Sequence, residues 1–306
     1  MDKSAVVEVE EVVEGKVDWK GRPVTIGSHG GHYNSLLVLA LFAFENLATT
    51  APAVNLITYF NGLMHYDIAD ASNQLTNFMG VCYILSILIA YVADSHIGRC
   101  KVIVISVFVE FLGFAMLTVQ AHIPHLKPPP CNIFDPTSHC ERVGGRNALF
   151  LFFSLYLVAL GAAGIKAGVP PHGADQFDEK NEQEALQRSS YFNWVLLSVC
   201  IGAALSLVFV VYIQSDVGWD WGFGVSSVAI FLGGLIFIAG IPRYRMHVVQ
   251  ATNPITELLQ VYVASFQNRK FHHPGNSEEL YETVKDKESA TEVEFLPHRD
   301  IFRSRH

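Results

Sequence analysis

The chain has 306 residues, half of them hydrophobic and only 16% charged, with a formal net charge of -8. Soluble globular chains carry about 25% charged residues, so this composition excludes an ordinary soluble domain and fits one membrane domain. The acidic balance leaves no electrostatic footprint for nucleic acid.

Residues 1–30 read as a flexible acidic arm, with negative charge concentrated in VEVEEVVEG. The arm lacks a cationic start followed by an apolar core, so no cleaved signal peptide is expected. A spanning helix needs about 20 mostly apolar residues. Six stretches qualify: Leu36–Met64, Asn73–Ala93, Val102–Ala121, Ala148–Val169, Tyr191–Ile213 and Phe223–Ile241. They predict an all-α membrane protein with a six-helix bundle over 31–241. After it, PITELLQVYVASF has helical spacing of apolar residues, suited to a membrane surface or to the bundle. Residues 242–306 read as a linker or tail.

Orientation follows from lysine and arginine. With the N-terminus in the cytoplasm, inside segments carry Lys16, Lys20, Arg22, Arg99, Lys101, Lys180, Arg188, Arg243 and Arg245. Outside loops carry only Lys127, Arg142 and Arg146. Both termini are therefore expected to be cytoplasmic. Cys131 and Cys140 then share an outside loop, where a small disulfide loop and two free thiols both remain open.

Ionisable groups within spans are expensive and mark a pathway or a structural pair. Glu45 in the first span, Glu110 in the third and Lys166 in the fourth are the candidates for proton coupling. Glu45 and Lys166 are natural partners, because opposite charges in low dielectric stabilise each other's charged forms. The bland alternative is a static ion pair that only fixes packing. Lys166 lies in GAAGIKAG, where Gly161, Gly164 and Gly168 permit close helix approach. In the first span Glu45 and Thr49 share a face, and Pro52 removes a backbone donor and kinks the helix. Asn46, Thr49, Asn55 and Lys166 form the candidate substrate-binding set. Between the second and third spans, Asp94, Gly98 and Arg99 suit a conformational clamp. Asp175, Asp178 and Glu179 read as a solvated face and His172 as a loop histidine. No metal-ligand spacing, cofactor motif or catalytic constellation is present in the sequence, so no enzyme is expected.

Taken in order, NLITYFNGLMH, ASNQLTNFMG, ADSHIGR, LYLVALGAAGIKAGVPPHGADQFDE, YFNW and DWGFGVSSVAIF resemble the plant nitrate transporter 1/peptide transporter family of the major facilitator superfamily. NRKF, ELYE and FLPHRDIFR are similar to its central cytoplasmic linker. The resemblance implies a proton-coupled carrier working by alternating access, and a chain corresponding to the N-terminal six-helix half of its fold. Implied substrates are nitrate, abscisic acid or another hormone, or a peptide. The implied partners are protons, a small-molecule substrate, the lipid bilayer, and a complementary C-terminal half or full-length relative. The implied address is the plasma membrane, with the vacuolar membrane as the alternative. Two positions depart from the pattern. The family's E-x-x-E-R signature falls on Phe42 to Asn46 and keeps only Glu45, and a family asparagine in the fifth helix is Cys200. The chain ends in the linker, which implies a truncated product or one that pairs with another half. The alternative function is a non-transporting membrane protein that modulates a full-length relative.

Overall fold

The computed structural model describes residues 12–25, 29–129, 131, 140–248 and 254–269. Six long helices make up the body of the chain: α1 (Gly31–Gly62), α2 (Ile68–Val92), α3 (Arg99–His122), α4 (Gly145–Ala174), α5 (Glu182–Leu205) and α6 (Trp219–Gly240). All six are long and apolar enough to cross a membrane. Several begin ahead of the apolar runs that announce them. A helix can start in the polar boundary region, where water and side chains satisfy its free ends. In α5, Asn181 caps the start by accepting from the N–H groups of Gln183 (3.0 Å) and Glu184 (3.3 Å). Glu182 and Glu184 add acidic charge to that first turn, favourable at the positive end of the helix dipole.

The helices pack around α3 and α4, whose mutual contact is the most extensive in the bundle. Glycine makes that contact possible. A Cβ at Gly161 would stand 2.7 Å from Glu110 Cα, and one at Gly168 would stand 2.7 Å from Ile103 Cγ1. Helix α1 packs on α5 and α6, and α2 on α4. Two π-turns, Ser206–Val210 and Ile213–Val217, carry α5 onward, and another at Ala93–Ile97 ends α2. Gly98 then reverses the chain with φ of 91°, a left-handed conformation that suits glycine.

Within the stretch expected to be a flexible arm over 1–30, residues 12–25 carry strands, and residues 1–11 and 26–28 lie outside the described residues. Strands β1 (Val12–Val17) and β2 (Pro23–Thr25) form a hairpin, and β3 (Met246–His247) pairs with the other edge of β1, giving an antiparallel sheet of order β2-β1-β3. Val13 faces Val24 across the hairpin and both are buried. Asp18 holds the turn by accepting from the N–H groups of Lys20 (2.7 Å) and Arg22 (2.8 Å). The expected boundary at Ile241 shifts for the same reason, and the compact unit runs to Ala251. A second unit begins at Thr252 and contains α7 (Pro254–Asn268), on the stretch expected to be helical. The motifs NRKF, ELYE and FLPHRDIFR fall wholly or largely outside the described residues.

Candidate functional site

Glu45 is wholly buried on α1, and Lys166 of α4 donates a hydrogen bond to its Oε1. Thr49, one turn along α1, donates to the same Oε1 at 3.1 Å and to the Glu45 carbonyl at 3.0 Å. Glu45 Oε2 has no partner among the described residues. The lysine side chain keeps 34% of its surface accessible, against 0% for the glutamate. The pair is therefore approached from the lysine side. Glu110 of α3 is also buried, close enough to feel both charges, and neither of its carboxylate oxygens has a partner among the described residues. Its place follows from Gly161, whose missing side chain lets α3 lie against α4.

Three of the sequence-derived candidates, Glu45, Thr49 and Lys166, thus come together, with Glu110 beside them. Asn46 and Asn55 do not join them. Asn46 donates to the Phe42 carbonyl of its own helix (2.8 Å) and lies where α5 approaches at Gly202. Asn55 donates to Gln214 Oε1 (3.2 Å), in the second π-turn after α5.

Pro52 lies inside α1. Proline has no N–H for the carbonyl four residues back, here that of Ala48. The Ser226 hydroxyl of α6 donates to that carbonyl at 2.9 Å, and the Ala51 N–H donates to Ser206 Oγ at 2.8 Å. The freed carbonyl is thus occupied by a side chain. Sequence reasoning missed both serines, because a hydroxyl serving a distant helix leaves no local pattern.

The loop between α2 and α3 carries a second charged centre. Arg99 donates through Nε to Asp94 (2.6 Å) and through Nη1 to Asp175 (2.7 Å), while Lys16 of β1 reaches the other oxygen of Asp175 (2.9 Å). Asp175 is therefore not on a solvated face as expected. Burial alone would raise its carboxyl, but Lys16 and Arg99 outweigh that and hold it below the usual carboxylate range. His172 is not a loop residue either. It lies inside the last turn of α4, 1% exposed, packed against Phe237 and Tyr244. Arg245, equally buried, forms two bonds to Glu184 (2.6 and 3.3 Å), and its backbone N–H donates to Gln176 (2.9 Å). Sequence reasoning counted Arg245 only as a surface charge.

Cys131 and Cys140 are joined by a disulfide. Among the described residues no group of three His, Cys, Asp or Glu side chains is arranged to hold a metal ion.

A family model, PTR2: POT family, matches residues 100–301. The chain is 42% identical over 262 residues to Protein NRT1/ PTR FAMILY 4.6 of Arabidopsis thaliana, covering 85% of this chain and 44% of that protein. It is 37% identical over 292 residues to Protein NRT1/ PTR FAMILY 6.3 of the same organism, covering 94% and 49%. Among solved structures it is similar to a peptide transporter POT in complex with sulfate, with a TM-score of 0.59 at 17% identity over 80% of this chain and 46% of that one. It is also similar to an auto inhibited POT family peptide transporter, with a TM-score of 0.61 at 19% identity over 80% and 43%. The chain spans about half the length of the curated relatives it matches.

Proposed function

Because the chain belongs to the POT family, we propose that it acts as the N-terminal half of a proton-coupled membrane transporter. The solute is small and anionic or polar: nitrate, abscisic acid or another hormone, or a peptide. The fold is the N-terminal six-helix half of the major facilitator superfamily, and the protein is a multi-pass membrane protein rather than an enzyme.

The observation that carries the transport reading is the Glu45–Lys166 pair, with one member sealed and the other open to one side. A proton arriving at Glu45 neutralises the carboxylate. Lys166 keeps its own proton and loses its partner, which frees a cation to meet an anionic solute. Proton and anion then enter together, as symport requires. Glu110 supplies a second carboxylate next to the pair, and Thr49 keeps Glu45 oriented in both states. The solute contact is thus Lys166, because Asn46, Thr49 and Asn55 are engaged elsewhere. The Asp94–Arg99–Asp175–Lys16 cluster acts as the clamp that closes one end. The other wall of the solute cavity comes from a complementary six-helix half, as in carriers where one repeat rocks against the other. The lysine and arginine bias supports cytoplasmic ends, and the plasma membrane is the proposed location. No specific observation favours the modulator reading.

Uptake by proteoliposomes containing this chain and its complement tests the proposal. Wild type should accumulate solute faster at acidic external pH, and Glu45→Gln should flatten that dependence. Unchanged pH dependence would remove Glu45 from coupling. Absence of substrate-dependent uptake with the complement present would overturn the transport reading.

A further inference from the structure

Helices α3 and α6 pack together, yet near the end of α3 they leave a groove of about 450 Å³ between them. Both helices are long and apolar enough to cross the membrane, so the groove opens within the bilayer, at the end of the bundle opposite the α2–α3 loop. On α6 its wall is Trp221, Gly224, Val225 and Val228. Their spacing of three, four and seven residues places them on one stripe of the helix. On α3 the wall is Thr118 and His122, one turn apart. Thr118 donates its hydroxyl to the Phe114 carbonyl of its own helix at 2.8 Å. Its methyl carbon Cγ2 is the atom nearest the place where a Gly224 side chain would begin, at 3.7 Å. The floor is therefore apolar although a threonine forms part of it.

Two contacts between the helices bound the groove. At the membrane boundary, His122 Nδ1 and Asp220 Oδ2 are 2.9 Å apart. Deeper in, Phe111 of α3 meets Phe231 of α6 with ring centroids 5.5 Å apart. From Asp220 to Phe231 the helix rises about 16 Å, roughly half the hydrocarbon thickness of a bilayer. The open side is apolar, with Trp221 64% and Val228 57% exposed. Asp220 is the one carboxylate in the lining. The groove thus has a polar end, an apolar body and a side that faces lipid. Its volume falls within the roughly 300–1,000 Å³ of pockets that hold small molecules through apolar walls and a few placed polar groups.

We propose that this groove binds a sterol, with the sterol hydroxyl at Asp220 and its ring system along Gly224, Val225 and Val228. The polar end decides among the molecules a membrane offers. A carboxylate accepts the proton of a hydroxyl, and it repels a phosphate or another carboxylate. Asp220 therefore disfavours the phosphate of a phospholipid, and equally the anionic solutes proposed for the Glu45–Lys166 site. The body of the groove makes the same choice. A rigid fused-ring skeleton loses little freedom when it is held in place, whereas an acyl chain must give up many rotamers. The bare backbone at Gly224 and the exposed Trp221 ring give such a skeleton flat apolar surface. A sterol seated here lies between the two bounding contacts and ties α3 to α6. The site requires only that the chain lies in a bilayer, and it does not depend on transport.

A sterol carrying a photoreactive diazirine tests this. It is photolysed with the full chain in phosphatidylcholine nanodiscs, and the labelled peptides are mapped by mass spectrometry. Phospholipid is in large excess throughout, so it competes for the groove in every sample. Saturable labelling within residues 118–122 or 220–228, displaced by unlabelled sterol, supports the site. Gly224→Leu fills the groove from within. A Cβ there meets only Thr118 Cγ2, at the ordinary contact distance of 3.7 Å, so α3 and α6 are not forced apart. This variant should weaken labelling about tenfold. The methyl ether of the same sterol has no proton to give Asp220, and it should compete about tenfold less well than the free sterol. That arm uses the unaltered chain, so it holds even if the variant misfolds. Labelling spread evenly over the lipid-facing helices, labelling indifferent to Gly224→Leu, or a methyl ether that competes as well as the sterol would overturn the site.

Discussion

The Glu45–Lys166 pair is asymmetric, and the asymmetry has a measurable consequence. Replacing Lys166 by methionine preserves the aliphatic length and removes the ammonium. Glu45 is then left at 0% exposure, with only the Thr49 hydroxyl on Oε1 and nothing on Oε2. Breaking a buried pair by removing one partner costs about 3–5 kcal/mol, and the stranded group here is fully buried, so the upper part of that range applies. Replacing Glu45 by glutamine strands Lys166 instead. With 34% of its side chain accessible, the ammonium can recruit water, so the cost falls to about 1–2 kcal/mol. Glu45→Gln with Lys166→Met removes both charges and should recover most of the larger loss. For a domain of 150–250 residues each kcal/mol moves the midpoint by about 2–4 °C, so Lys166→Met should unfold roughly 10 °C below wild type. Thermal unfolding in detergent across the single and double variants measures this. A Glu45→Gln deficit equal to that of Lys166→Met, or additive losses in the double variant, would refute the reasoning.

Gly161→Ala places a Cβ 2.7 Å from the Glu110 Cα, which α3 and α4 relieve only by separating. Such overpacking costs about 1–3 kcal/mol, and thermal unfolding should register it. Ser226→Ala strips the Ala48 carbonyl of its donor and should destabilise by about 1–3 kcal/mol. Ser226→Thr, which keeps the hydroxyl, should lose less in the same assay. Asp175→Asn should weaken the clamp by about 2 kcal/mol and raise protease access to the α2–α3 loop at neutral pH. The sign of its pH dependence follows from the lowered Asp175 carboxyl. The stabilisation is fully present above the ordinary carboxylate value of 3.8 and disappears as pH falls through the folded value. Wild type and Asp175→Asn should therefore differ by a constant amount from pH 6 to 8 and converge under strong acid.

The six spans were legible because the bilayer imposes a length and a polarity that hydropathy reports directly. Pairing Glu45 with Lys166 was legible from charge logic alone, since two isolated opposite charges in apolar helices have few other partners. The remaining structure depends on contacts that no local pattern encodes. The sheet joins strands of two to six residues from opposite ends of the compact unit, too short for alternation to stand out. Asp175 and His172 occur in a run that also contains Asp178 and Glu179, and nothing local distinguishes the ion-paired Asp175 and buried His172 from the exposed Glu179. Asn46 and Asn55 were grouped with Glu45 because they share its helix. At 3.6 residues per turn, however, Asn46 points about 100° away from Glu45, toward its own backbone and α5.

The charge pair and the clamp share one rigid element. Lys166, His172 and Asp175 lie along the last turns of α4 and its cap, and nine residues at 1.5 Å each put Lys166 about 13–14 Å from Asp175. Just before and within that length α4 is keyed to α3 through Gly161, Gly164 and Gly168, and α3 begins with Arg99 of the proposed clamp. A close-packed seam of this kind does not stretch continuously; it moves as a unit or shifts between discrete packings. Release of Lys166 from Glu45 removes a charge contact between α1 and α4. Any resulting tilt of α4 is borne at its C-terminal cap by Asp175, where Arg99 and Lys16 pull from two different elements. In the proposed transport cycle, a proton at Glu45 therefore reaches the α2–α3 loop mechanically through α4, with the N-terminal strand held in the same grip through Lys16.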